Sequence, residues 1–217
     1  MITRIKSLMS PFVICAGLLT LGLAFPLTMD TAQAQSADPK EFILELGDRA
    51  VGALTDKSLD QSVRRERFRD ILNEGLDLNY VSQFVLGAYR RQASEEQLDS
   101  FKKLLEDNIV QNYAWRFRNY DGQELTFLGV RPASRDSQIV ETELAQADDA
   151  PPIQVDWRVH PMDDSGFKII DIIVEGISMM VTQRDEYVGF MRSNGGVDAL
   201  LKALRKQNES LANRTEG

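Results

Sequence analysis

The chain has 217 residues, 43% of them hydrophobic and 27% charged, with a formal net charge of -8 and one cysteine. That length supports a full hydrophobic core in one domain, and the composition is neither that of a disordered chain nor of a disulfide-stapled one. A pI near 4.8 excludes a dedicated nucleic-acid binder, which needs a basic stripe.

Residues 1–34 read as a secretory signal peptide. Arg4 and Lys6 are its basic start, Phe12 to Leu27 its apolar run, and Ala32-Gln33-Ala34 supplies small residues at a cleavage site. Pro26 and the glycines at 17 and 22 argue against a retained membrane anchor. Cys15 follows Val13-Ile14, whereas a lipid-modified cysteine wants a small residue before it, so Cys15 is expected to leave with the leader. Cleavage after Ala34 removes Arg4, Lys6 and Asp30 among 34 residues. It leaves 183 residues with 23 basic and 32 acidic side chains, a net charge of -9 and no thiol, expected to form one domain over 35–217. Such an exported chain rests on its core alone.

The first half reads as helical. Asp38-Pro39 is a cap followed by proline at the first helical position, and Phe42, Leu46, Ala50 and Leu54 then recur every four residues. A second helix runs from about Ser58 to Glu74, with Leu59, Val63, Ile71 and Leu72 inward and Arg64, Arg65, Arg67 and Arg69 outward, before Gly75. A short third helix follows Asp77 and carries Val81, Phe84 and Val85 up to Gly87. Ser94 with Gln97 then forms a capping box at the head of the longest helix. Its stripe of Leu98, Phe101, Leu105, Ile109, Tyr113 and Phe117 is widened by Leu104, Val110 and Trp115, so this helix has apolar neighbours on more than one side.

The second half reads as strands. Leu125 and Phe127 alternate with polar residues, as do Val140, Thr142 and Leu144, and most clearly Ile153, Val155, Trp157 and Val159. Turns at 148–152 and 162–166 separate these runs, and Phe167 to Val174 is apolar on both faces. Helix returns after Gly176, breaks at Gly195-Gly196, and ends in a helix carrying Val197, Leu200, Leu201 and Leu204. The order predicts an α+β fold: helices packed on a curled antiparallel sheet of about four strands, with C-terminal helices.

Chemistry is sparse. The single histidine, His160, sits on the polar face of a strand end, and without a mature cysteine a zinc site has no donor set. The chain has no Gly-rich phosphate loop and no nucleophile elbow. Asp171 interrupts the run Ile169 to Ile173. It reads either as a general base held in an apolar site, or as an outer-face partner for backbone or for an arginine such as Arg158 or Arg184. The arginines at 64–69 are either a docking surface or the solvated side of a helix interspersed with Glu66 and Asp70.

Two stretches carry a family resemblance. "YVSQFVLGAYRRQASEEQLDSFKKLL" (80–105) and "FKIIDIIVEGISMMVTQRDEYVGFMRSNGGVDALLKAL" (167–204) resemble the periplasmic phospholipid-shuttle proteins of the MlaC type, also called toluene-tolerance auxiliary components. The match runs through Phe84-Val85-Leu86-Gly87 with Tyr89, Asp171, Glu175-Gly176 with Ser178, Arg184 with Tyr187, and Gly195-Gly196 with Leu200. Phe167 stands where tryptophan is common in the family, and a hopanoid-associated subgroup shares the fingerprint. The resemblance implies a cone-like fold similar to nuclear transport factor and cystatin, and a hydrophobic pocket for acyl chains. It further implies a monomeric carrier without cofactor that serves an outer-membrane lipoprotein–porin complex and an inner-membrane transporter of the MCE type. Residues expected to line the pocket are Phe84, Leu105, Ile109, Tyr113 and Phe117 on helices, and Val155, Trp157, Ile170, Ile172, Val174, Ile177 and Met179 on the sheet and its exit. No catalytic residue and no metal ligand is expected, although an enzyme on the same cone, using Asp171 or Tyr113, is the competing reading.

Overall fold

The computed structural model describes residues 38–116, 123–146, 150–163 and 166–215, all within one compact unit. The expected leader, Phe117, the side chain of Trp115 and turn positions 147–149 and 164–165 lie outside the described residues. Four helices come first: α1 (Pro39–Thr55), α2 (Gln61–Gly75), α3 (Leu78–Val85) and, after a 3-10 turn at Gly87–Arg91, α4 (Glu95–Arg116). A meander follows of β1 (Leu125–Pro132), β2 (Gln138–Leu144), β3 (Ile153–Pro161), β4 (Phe167–Val174) and β5 (Ile177–Ser178). Helices α5 (Met179–Asn194) and α6 (Val197–Thr215) close the chain.

The strands pair antiparallel in sequence order, so the fold is the α+β arrangement the sequence predicts, with five strands where about four were expected. The extra strand arises because Glu175 and Gly176 take left-handed φ values of 49° and 77° and reverse the chain. Ile177 and Ser178 then pair back onto Val174 and Ile173. Two residues are too few for alternation to register, so the run through Ser178 reads in sequence as the approach to a helix.

The helix starts follow their side chains. Asp38 accepts from the Lys40 amide and Asp77 from the Tyr80 amide, at 2.9 Å each. Ser94 and Gln97 exchange the reciprocal bonds of the capping box, at 2.9 and 3.2 Å. Two arginines of the run are held within the fold: Arg64 donates to the carbonyls of Asp56 and Leu59, and Arg69 reaches Glu106 and Asp107 on α4.

Buried side chains fall into three clusters. The largest lies among α3, α4, α5 and α6, around Phe101, Leu105, Met191 and Leu204. A second joins α1 to the sheet, and a third joins Leu54 and Phe68 to Val110 on α4. Helix α4 therefore contributes to two clusters, as its wide apolar arc requires. Asn208 ties α6 to α4 by accepting from Asn108 and donating to the Leu104 carbonyl, each at 2.9 Å.

Helices α1 and α2 meet at bare backbone. A Cβ on Gly75 would lie 2.3 Å from Leu46 Cδ2 and 2.9 Å from Cδ1. Gly75→Ala is therefore expected to displace Leu46 and cost about 1–2 kcal/mol net, overpacking outweighing the helix propensity gained. In a Leu46→Ala background the same change should be neutral or stabilising; equal urea-midpoint losses in both backgrounds would contradict the contact. Nearby, Arg49 donates to both oxygens of Glu74, at 2.6 and 2.5 Å. The bond from Arg49, more than the opposing burial, holds the Glu74 carboxyl below its ordinary value of 4.5. A depressed carboxylate pKa stabilises the fold above that ordinary value, and the contribution is lost as pH falls through the folded one. Both side chains are over a third exposed, which limits the pair to roughly 1 kcal/mol or less. Glu74→Gln should thus lower Tm slightly at pH 7, and the difference from the parent should shrink as pH falls below the ordinary glutamate value.

Candidate functional site

Cross-strand partners share a sheet face, and one face here is largely apolar. Val140 pairs with Trp157 and Trp157 with Ile172; Thr142 pairs with Val155, Val155 with Val174, and Val174 with Ile177; Leu144 pairs with Ile153. Helix α1 lies on this inner face. Phe42 and Ile43 are buried against Val140, Val159, Phe167 and Ile169, while Leu46 sits with half-buried Leu125, Phe127, Trp157 and Ile172. The helix leaves the β3–β4 end of the face less covered. Val174 and Ile153 are half-buried there, and Ile177 is 58% exposed.

The threonine hydroxyl on the face is neutralised internally. Thr142 is fully buried; its hydroxyl donates to the Val155 carbonyl and accepts from the Trp157 indole N–H at 3.1 Å. With its N–H satisfied, the indole presents only apolar surface to whatever lies above it. Among the described residues the strands contribute no charged side chain to this face, and the cation over it, Lys40, lies above the Phe127 ring at the β1 edge, so the face suits a hydrocarbon chain.

The candidate residues divide. Val155, Trp157, Ile172, Val174 and Ile177 stand together along the inner face. Ile170 is the extra residue of a bulge, where Arg158 pairs with Asp171 and Val159 with Ile169, and it is buried. Leu105 and Ile109 pack among the helices with α6, and Phe84 joins that cluster with Arg184 above its ring and Tyr80 stacked beside it. Tyr113 is exposed and touches Phe68, and Met179 is an exposed residue at the start of α5. Reading the chain element by element omitted Leu46, Leu125, Phe127, Leu144 and Ile153 from the face. The alternation of β1, β2 and β3 carried the signal for the last four.

The groups that suggested catalysis have other employment. Asp171 is 5% exposed, and both of its oxygens are taken. Oδ2 accepts from the Ser178 hydroxyl at 2.6 Å and Oδ1 from the Met180 amide at 3.1 Å. Ser178 in turn caps Val181, so Asp171 anchors the start of α5 and takes backbone rather than an arginine as its partner. His160 Nε2 on β3 lies 3.1 Å from Asp77 Oδ2 of the capping residue of α3. Burial, with the Glu186 charge beside it, pushes the Tyr187 hydroxyl up to about 12, far from any acid–base role near neutrality. Among the described residues no group of His, Cys, Asp or Glu is arranged to hold a metal, and no helix is long and apolar enough to cross a membrane.

The family model "MlaC protein" matches residues 45–206. The chain belongs to the MlaC family. It is 26% identical over 149 residues to the intermembrane phospholipid transport system binding protein MlaC of Haemophilus influenzae, covering 68% of this chain and 69% of that one. It is 24% identical over 197 residues to the toluene tolerance protein ttg2D of Pseudomonas putida, covering 82% and 83%. A phospholipid-binding protein of Ralstonia solanacearum, solved with a phospholipid, shares the fold with a TM-score of 0.69. That alignment is 19% identical and covers 81% of this chain and 99% of the other.

The stretches that carry the family likeness serve the fold. Val85 and Leu86 are buried in the helical cluster, and Gly87 turns at a φ of 56° with Val188 3.1 Å from where a Cβ would stand. Glu175 accepts from the Gln154 amide at 2.6 Å, Gly176 completes the reversal, and Ser178 links α5 to Asp171.

Proposed function

We propose that the protein is an exported carrier of phospholipid, not an enzyme, and that it shields acyl chains between α1 and the half-open inner face of its sheet. The observation that carries this reading is the inner face itself. It is largely apolar, its threonine hydroxyl is internally satisfied, and its cover thins toward Val174 and Ile177 in a chain of the MlaC family. The phospholipid in the Ralstonia relative and the function named for the Haemophilus relative support the ligand class.

Energetics explain why such a carrier encloses its cargo. Each methylene is worth about 0.8 kcal/mol, so exposing one chain of ~16 carbons costs on the order of 13 kcal/mol. A shuttle without a nucleotide site moves lipid only by differential affinity, each membrane complex favouring its loaded or its empty form. The donor and acceptor we assign are an outer-membrane lipoprotein–porin complex and an inner-membrane MCE-type transporter, with the carrier periplasmic and monomeric between them. The acidic surface, a net charge of -9 after removal of the leader, is repelled by anionic bilayers and favours delivery through docked protein partners.

Transfer of a labelled phospholipid between two vesicle populations tests this. The protein should accelerate transfer and leave the lipid chemically intact. Release of a fatty acid or headgroup would make it an enzyme, and an absence of transfer or of bound lipid would make it an adaptor.

A further inference from the structure

We propose that the ring pair Phe42–Phe167 is the floor of the acyl slot and sets the chain length the protein accepts, a proposal that rests on the carrier reading above. Along β4 and into β5 the burial of the inner face falls in one direction, while Val155 beside Val174 stays buried. Phe42, Ile43, Val159, Phe167 and Ile169 are closed over at one end of β3 and β4. Trp157 and Ile172, one register step on, are half-buried; Val174, a further step on, is half-buried too, and its partner Ile177 is open to solvent.

The two rings that seal the closed end come from different elements, α1 and β4, and meet at 6.1 Å between centroids. Beneath them the strand pair ends at Pro161 opposite Phe167. A chain that slides along the indole of Trp157 from the open end therefore runs into these rings rather than into solvent.

The length available fits a lipid tail. From the Val159 step to the Val155 step is four residues of β3, and to Ile153 six, or about 13–20 Å at ~3.3 Å per residue. One leaflet of a bilayer, which holds one acyl chain end to end, is about half of a ~30 Å hydrocarbon core. The slot is thus matched to a tail of ordinary length. The rings and their aliphatic neighbours are apolar, with Gln138 at the margin opposite Val159, so bulk is the main discriminator.

The test is competition. Delipidated protein is offered an equimolar mixture of two phosphatidylethanolamines whose tails differ by a few carbons, and the bound ratio is read by mass spectrometry of the extracted lipid. Each further methylene accommodated is worth about fourfold in affinity. Phe167→Leu should shift the bound ratio toward the longer tail by at least that factor. Phe42→Leu, which lowers the floor from the helix side, should do the same and serves if the strand variant does not fold. Ile172→Phe, which adds bulk part-way along, should shift the ratio toward the shorter tail. Unchanged ratios in folded, lipid-loaded variants would overturn the floor while leaving the carrier reading standing. A parent protein that loads neither lipid would overturn the carrier reading, and the floor with it.

Discussion

Asp171→Ala is expected to lower stability by about 2–4 kcal/mol, seen as a fall in the urea midpoint at unchanged slope. The carboxylate is buried and accepts from both Ser178 and the Met180 amide. Alanine leaves the Met180 N–H at the first turn of α5 without its acceptor, and an orphaned buried donor costs more than the bond itself contributed. Ser178 keeps its bond from Val181, so the helix start is weakened rather than erased. Asp171→Asn retains an oxygen for the Met180 amide and should cost only about 1 kcal/mol. The pair of variants also separates the competing roles. An anchor at α5 predicts that Asp171→Asn still carries lipid at the parent level. A catalytic base predicts a folded protein that has lost its activity.

Val174→Asp is expected to deplete bound lipid at least tenfold while leaving the chain folded. Val174 is half-buried between Val155 and Ile177, so a carboxylate there retains partial access to water and the fold loses about 1–2 kcal/mol. An acyl chain laid over it would remove that water, and a tenfold loss in occupancy needs only ~1.4 kcal/mol of that much larger desolvation penalty. Val174→Leu keeps the surface apolar and should bind as the parent does. Quantifying phospholipid in purified, folded Val174→Asp checks the site, and parent-level occupancy would place the ligand elsewhere.

Much of the fold was legible because its signals are local. Asp38-Pro39 and the Ser94–Gln97 box mark helix starts within a few residues, and the alternation from Ile153 to Val159 identifies β3 without reference to its neighbours. β5 was not legible, since two residues carry no period and the reversal depends on Glu175 adopting a left-handed φ, which its side chain supports through Gln154 on another strand.

The candidate site was half legible for a related reason. Periodicity reports which side of an element is apolar but not what covers it. Leu105 and Trp157 look alike in sequence; α6 buries the first, while the second remains half open at the edge of the α1 contact. Asp171 admitted two readings because the deciding contact is with Ser178, beyond a chain reversal.

Native mass spectrometry of the protein purified from the exported compartment tests the central claim most directly. The account predicts a population whose added mass is that of a phospholipid, released intact on activation. A protein that flies empty, or one that carries only a hopanoid mass, would contradict it.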